Sequence, residues 1–322
     1  MDDITVLLLG KPRPAELQLI EAHTPKVRVL IAASSQEAIS LASEADVLFV
    51  WNSDRETIQR VLECASRAKW LHIRFAGLDT VMSPELAASP IPLTNGRGVF
   101  SQSLGEFVLA AVLYFAKDIP RMRRNQMAGK WAPFDVLEIG RQTLGIVGYG
   151  DIGRACGSRA KAMGMRVLAL RRHPERSNGD ANVDRTYGWD GLKEMLAESD
   201  YVVVAAPLTP ETKSMIGDAA FAAMKKTAVI INVGRGPVID EPALIRALES
   251  GRIRGAGLDV VAVEPLPAGS PLYGMENVLL SPHCADHTAD WFQNAMAFFL
   301  QQLARFQNGR KLENLVDKTR GY

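Results

Sequence analysis

Cysteine is scarce, with only Cys64, Cys156 and Cys284 in 322 residues. An odd number without metal-ligand spacing argues against a disulfide framework or a thiolate metal centre, and no metal is expected. Cys284, beside His283, reads as a small half-buried residue. No uninterrupted apolar run approaches the ~20 residues of a membrane span. The start, Met1-Asp2-Asp3 and then Ile4 to Leu9, lacks the basic residues and the length of a signal peptide. Neither sign of charge dominates: 37 basic against 36 acidic residues leave +1, which predicts no nucleic-acid and no membrane partner. The densest basic cluster, Arg121, Arg123, Arg124 and Lys130, reads as a solvated helix face. Short-period repeats and low-complexity tracts are also missing. What remains is a cytoplasmic globular chain, 47% hydrophobic and 23% charged, whose length predicts two domains.

Short apolar runs alternate with helical patterns. Ile4–Leu9, Val27–Ile31, Val47–Val50 and Leu71–Phe75 read as strands, with helices over Pro14–His23, Gln36–Ser43 and Arg55–Ala68 between them. Strands without polar alternation predict a parallel sheet covered on both faces. A long helix is expected over Ser103–Ala128, capped by Ser101 or by Ser103 with Glu106 in reciprocal contact. Thr143–Val147, Arg166–Leu170, Tyr201–Ala205, Ala228–Asn232, Gly257–Val260 and Val278–Ser281 read as further strands. The fold class is therefore α/β, with two doubly wound units. The expected division is 100–285 for one unit, inserted into another made of 1–99 and 286–322. The segment from His287 opens with an apolar helix pattern, Trp291, Phe292, Ala295, Phe298, Phe299 and Leu303, and is expected to return to the first unit.

The most specific local signal is Gly148-Tyr149-Gly150-Asp151-Ile152-Gly153, preceded by a strand and followed by a helix. In such a turn the first glycine makes the bend, the second lets the backbone approach a pyrophosphate, and the third lets helix and strand pack closely. The helix N-terminus then offers free N–H groups to the phosphates. The next strand ends at Arg171-Arg172, where an acidic residue would otherwise hold a ribose 2′-hydroxyl. A guanidinium grips a 2′-phosphate, so NADP (as NADPH) is favoured over NAD.

Three further residues stand beside Gly or Pro just past apolar strands: Arg235 in Gly234-Arg235-Gly236, Glu264 before Pro265, and His283 after Pro282. Each alone reads as structural. Together, downstream of a dinucleotide turn and at strand carboxyl ends, they supply a cation, an acid and a titratable base where ligands bind in such sheets. A guanidinium there suits a substrate carboxylate, and an imidazole exchanges protons near neutral pH.

With these motifs, the chain resembles the D-isomer-specific 2-hydroxyacid dehydrogenases, notably their glyoxylate/hydroxypyruvate reductase-like branch. The resemblance runs nearly end to end. It takes in Ala76-Gly77-Leu78-Asp79, Asn95-Gly96, Leu104-Gly105-Glu106, the glycine turn, Pro207-Leu208-Thr209 with Thr212, Asn232-Val233-Gly234-Arg235-Gly236, Gly257-Leu258-Asp259-Val260, Glu264-Pro265, Pro282-His283 and Asn314-Leu315-Val316-Asp317-Lys318. It implies a cofactor domain inserted into a flavodoxin-like substrate domain, a site in the cleft and a homodimer made by the cofactor domain. It implies that Arg235 orients the substrate, that His283 transfers the proton and that Glu264 holds the His283 tautomer. Gly148, Gly150, Asp151, Ile152, Gly153, Arg171, Arg172, Pro207, Thr212, Val233 and Asp259 fall among the implied cofactor contacts, Asp259 on the nicotinamide amide. Ala76, Gly77 and Trp51 are the implied substrate contacts, although Trp51 reads equally as hydrophobic cover. Two departures stand out: Ala205 where many members have His, and Asp286 where a small Gly is common.

The loop Val50-Trp51-Asn52-Ser53 lacks the basic cluster a phosphoglycerate site would want, and Glu264 stands where a formate dehydrogenase would carry Gln. The expected substrate is a small 2-keto or 2-hydroxy acid of glyoxylate or hydroxypyruvate type, handled D-stereospecifically. The alternatives are an NAD(H)-sensing corepressor-like protein, a phosphoglycerate-type dehydrogenase and an imine reductase.

Overall fold

The computed structural model describes residues 4–23 and 25–321. The chain divides into two compact units, one running to Phe100 and resuming at Thr288, the other spanning Ser101–His287.

The first unit alternates β1 (Thr5–Leu9), α1 (Pro14–Glu21), β2 (Arg28–Ala32), α2 (Ser35–Leu41), β3 (Val47–Val50), α3 (Arg55–Cys64), β4 (Trp70–Ile73), α4 (Pro84–Ala88) and β5 (Leu93–Asn95). The strands pair in parallel in the order β2-β1-β3-β4-β5, a flavodoxin-like arrangement. β1, β3 and β4 are buried along their whole lengths, which is why their sequences are apolar without alternation. Local chemistry sets the helix starts. Ser34 Oγ accepts from Glu37 N while the Glu37 carboxylate accepts from Ser34 N, a capping box on α2. Asp54 accepts from Thr57 N to start α3.

The second unit begins with α5 (Ser101–Ala116) and α6 (Ile119–Met127). It continues with β6 (Thr143–Val147), α7 (Asp151–Ala162), β7 (Arg166–Leu170), β8 (Arg185–Tyr187), α8 (Leu192–Glu198) and β9 (Tyr201–Val204). It closes with α9 (Asp218–Ala223), β10 (Val229–Asn232), α10 (Glu241–Glu249), β11 (Gly255–Leu258) and β12 (Val278–Leu280). The sheet is parallel throughout, in the order β12-β11-β10-β9-β6-β7-β8. The chain leaves β6 in one direction and returns at β9 on its other side, so the topological switch point lies between these strands. Successive strand residues feed opposite cores. Ile146, Val203 and Ile231 pack with α5 and α7 residues, while Val147, Val202 and Ile230 pack with α8, α9 and α10 residues.

The chain ends in α11 (Trp291–Gln307), which belongs to the first unit. Its buried residues Ala295, Met296, Phe299, Gln302 and Leu303 share one helical face. Phe299 stacks on Phe49 with ring centres 3.9 Å apart and lies 5.4 Å from the Trp70 ring. His72 is buried in the same cluster, its Nδ1 2.8 Å from Thr94 Oγ1, and burial pushes its pKa down to about 3. It is a neutral core histidine. The tail then bridges antiparallel to β5 through Leu315 and Thr94, covering that sheet edge.

Three sequence expectations change. The single helix over Ser103–Ala128 is two helices, because Asp118 takes a left-handed φ of 50° and Pro120 opens a new helix in which Asp118 accepts from Arg121 N. Neither expected cap forms: Ser101 lies within α5, Ser103 Oγ donates to the Ala285 carbonyl, and Glu106 pairs with Arg159 at 3.2 Å. β5 and β8, three-residue edge strands with polar members, were not legible as strands. Among the described residues, no helix is long and apolar enough to cross a membrane, and no His, Cys, Asp and Glu cluster could hold a metal ion.

Candidate active site

The turn between β6 and α7 lies at the switch point. Gly148 has φ 93°, and a Cβ there would lie 2.5 Å from Ala206 N, so only glycine makes this bend. A Cβ on Gly153 would lie 2.7 Å from the Gly148 carbonyl oxygen, the close helix–turn packing expected of the third glycine. At Gly150 a Cβ would meet nothing within 4 Å. The middle glycine thus faces open space at the amino end of a twelve-residue helix, a geometry that fits a dinucleotide pyrophosphate. Asp151 and Ile152 form the first turn of α7.

Arg171 and Arg172 follow β7. Arg171 Nη1 donates to Ser177 Oγ at 3.0 Å, and Arg172 pairs with Glu211 at 3.5 Å. Burial first, and then the charges of Arg154 and Arg176, lower the pKa of Arg171. Positive charge is therefore concentrated at the end of the strand that follows the glycine turn. Of the loop residues past β9, Pro207 is exposed and Thr212 is buried, its hydroxyl donating to the Pro207 carbonyl at 2.6 Å and accepting from Thr209 N at 2.8 Å. That hydroxyl shapes the loop. Val233 is also buried, its N–H donating to the Val204 carbonyl.

Arg235, Glu264 and His283 follow β10, β11 and β12, three adjacent parallel strands, and so lie off the same sheet edge as the glycine turn. His283 Nδ1 is 2.7 Å from Glu264 Oε2, with the side chains 44% and 36% exposed. A carboxylate only accepts, which assigns the hydrogen to Nδ1 and leaves Nε2 for exchange. The other Glu264 oxygen accepts from Val261 N at 3.1 Å, and Glu241 accepts from Ala262 N at 2.9 Å, so the loop carrying Glu264 is fixed at two points. The Arg235 turn is tied by Asn232, whose Oδ1 accepts from Gly234 N and whose Nδ2 donates to the Arg235 carbonyl. His287 lies 3.7 Å from Asp286, and Cys284 is exposed rather than half-buried.

In the first unit, Asn95 Nδ2 donates to the Ala76 carbonyl at 2.7 Å and Gly96 N donates to the Phe75 carbonyl at 3.0 Å. A Cβ on Gly96 would lie 2.0 Å from the Arg74 carbonyl oxygen, so Asn95-Gly96 pins the segment that holds Ala76 and Gly77. Trp51 is 3% exposed, edge-on to Phe49. Its ring centre is 4.8 Å from the guanidinium of Arg74, which also lies over Phe75, Trp291 and Phe292.

Sequence reasoning missed Arg74, since three of its four aromatic neighbours, Trp51, Trp291 and Phe292, come from two distant segments. It also missed how much Asp259 does: Asp259 is 2% exposed, and its Oδ1 accepts from Ser281 Oγ, Cys284 N and Ala285 N. Nearby, the pKa of Asp286 is raised, chiefly by burial.

A glycine turn at a switch point, with a paired imidazole and a guanidinium off the same edge, defines a dinucleotide-dependent oxidoreductase built on two α/β units. The NAD-binding domain of the D-isomer specific 2-hydroxyacid dehydrogenases matches residues 109–285. The chain belongs to this family and is an NAD(P)-dependent oxidoreductase. It is 35% identical over 267 residues to a glyoxylate reductase of Korarchaeum cryptofilum, covering 80% of this chain and 79% of that one. It is 35% identical over 322 residues to glyoxylate/hydroxypyruvate reductase B of Salmonella typhimurium, covering 97% of each. A crystal structure of a D-isomer specific 2-hydroxyacid dehydrogenase from Xanthobacter autotrophicus, in complex with NADPH and MES, superposes with a TM-score of 0.85 at 32% identity over the whole of both chains.

Proposed function

We propose that this protein reduces a small 2-keto acid of the glyoxylate or hydroxypyruvate type to the D-2-hydroxy acid, with NADPH as the preferred donor. The observation that carries the reading is the 2.7 Å His283–Glu264 contact off the sheet edge that also bears the glycine turn and Arg235. The bound nicotinamide supplies the hydride. Arg235 binds the substrate carboxylate and orients the ketone. His283 gives its Nε2 proton to the carbonyl oxygen, and Glu264 holds Nδ1–H and balances the charge on the ring. The free face at Gly150 and the first turn of α7, with Asp151 and Ile152, receive the pyrophosphate. Pro207, Thr212, Val233 and Asp259 line the rest of the cofactor site. Ala76 and Gly77 bind the substrate carboxylate through backbone N–H groups, whereas Trp51, 3% exposed, serves as hydrophobic cover. The names of the relatives support the substrate class, and the NADPH in the Xanthobacter complex supports the donor.

The reading includes a cytoplasmic homodimer. Trp131 is 99% exposed, with Met122, Met127, Val136 and Leu137 also exposed, an apolar stretch suited to a subunit interface.

The test is NADPH oxidation with glyoxylate, hydroxypyruvate, pyruvate, phenylpyruvate and phosphohydroxypyruvate. Turnover is expected with the first two foremost. Cofactor binding without turnover of any of them would point to a binding protein instead. Arg171→Asp is expected to invert the NADPH/NADH ratio of kcat/KM, with NADPH losing about 10²-fold, the scale of a lost charge-assisted contact made repulsive. An unchanged ratio rejects the role of Arg171.

A further inference from the structure

We infer that Asp259 is a positioning residue for His283, anchoring the 281–285 loop that aims the imidazole; this rests on His283 as the proton donor. His283 is one of the few non-glycine residues with positive φ, at 52°. Such a backbone persists only when its surroundings over-determine it. Asp259 does so from both sides of His283. Its carbonyl accepts from His283 N at 2.9 Å. Its Oδ1 accepts from Ser281 Oγ at 2.6 Å, two residues before, and from Cys284 N and Ala285 N, each at 3.0 Å, directly after. Asp259 itself is fixed, since it directly follows β11 and its N–H donates to the Asn232 carbonyl of β10 at 3.0 Å. Three donors on one buried anionic oxygen are charge-assisted bonds, stronger and more directional than neutral ones. They add to the backbone bond from Ser281 N to the Leu258 carbonyl and to the Ser103 Oγ bond on the Ala285 carbonyl, and together these hold the turn that brings Nδ1 to 2.7 Å from Glu264. A contact with the nicotinamide amide would be a second task of the same residue, and the two tasks separate experimentally.

The experiment is a double-mutant cycle in which kcat, the NADPH dissociation constant and Tm are measured for Asp259→Ala, Asp259→Asn, His283→Ala and the double variant Asp259→Ala/His283→Ala. Asp259→Ala is expected to lose about 10² in kcat, the scale of positioned proton transfer. The double variant is expected to fall no lower than His283→Ala, because a residue acting through His283 has nothing left to position. Asp259→Asn, whose amide oxygen accepts the same three bonds, is expected to recover most of the rate. A double variant lower than His283→Ala by the full Asp259→Ala factor overturns the inference, and so does an Asn variant as poor as the Ala variant. Should Asp259→Ala fail to fold, Ser281→Ala removes one donor and replaces it in the cycle. Its expected loss is about 5- to 10-fold, a fraction of the proton-transfer range, and absent in the His283→Ala background; an equal loss in both backgrounds overturns the inference. Near-normal turnover by His283→Ala alone would sink the proton-donor reading itself, and this role with it.

Discussion

His283→Ala is expected to lower kcat for 2-keto acid reduction by at least about 10², and by as much as about 10⁴, the range of positioned general acid catalysis. The reasoning is local. Reduction of a ketone places negative charge on oxygen as hydride arrives at carbon, and the barrier stays high unless a proton is delivered there. His283 lies just past β12, with its Nδ1 at 2.7 Å from the Glu264 carboxylate. His287 is 3.7 Å from a different carboxylate, Asp286. The glycine turn and the arginines after β7 are built from other segments, so the NADPH dissociation constant is expected to change little. Glu264→Gln should lose at least about 10-fold, because an amide can present an N–H toward Nδ1 and favour the wrong tautomer, as triad Asp→Asn changes do. Single-turnover kinetics with NADPH fluorescence check both variants. Near-normal kcat in His283→Ala would end the assignment, and unchanged kcat in Glu264→Gln would show the pair to be structural.

Much of this architecture was legible because burial writes itself into composition. β1, β3 and β4 are covered on both faces, so VLLL, VLFV and WLHI read as parallel strands without any partner being known. The glycine turn was legible because its spacing is itself a local pattern: the contact that forbids a side chain at Gly153 is made within the turn, although the one at Gly148 is with Ala206, far along the chain. Legibility failed where the decisive contact joins segments far apart in sequence. Ser281, Cys284 and Ala285 converge on an aspartate more than twenty residues earlier. No local pattern marks Asp259 as their acceptor. The break in the helix after Ala116 was a different failure, since Pro120 carried the signal but the long apolar run before it suggested continuity. The edge strands β5 and β8 are three residues long and half-polar, too little for periodicity to register.

Gly236→Ala is expected to cost more than any other single methyl group added around the site. An added Cβ would lie 1.8 Å from the Val261 carbonyl oxygen, 2.0 Å from its carbon and 2.7 Å from Ala262 N. All three are backbone atoms, so no side-chain rotation relieves the overlap. Neither side can withdraw freely. On one side a Cβ on Gly234 would already lie 2.8 Å from the Ala206 carbonyl oxygen, and Asn232 ties the turn through two hydrogen bonds. On the other, Val261 N is bonded to Glu264 and Ala262 N to Glu241. Relief by more than about 1 Å must therefore carry either Arg235 or Glu264 out of place, and misplacement on that scale costs about 10² in rate. The overpacking itself should destabilise by about 1–3 kcal/mol or more. Gly269→Ala is the control: an added Cβ there meets nothing within 4 Å, and its effect should stay within about 0.5 kcal/mol. Thermal unfolding and kcat/KM of the two variants decide the matter. If Gly236→Ala behaves like Gly269→Ala, the backbone contact between the arginine turn and the glutamate loop does not exist in solution, and the two residues are not held by a common rigid support.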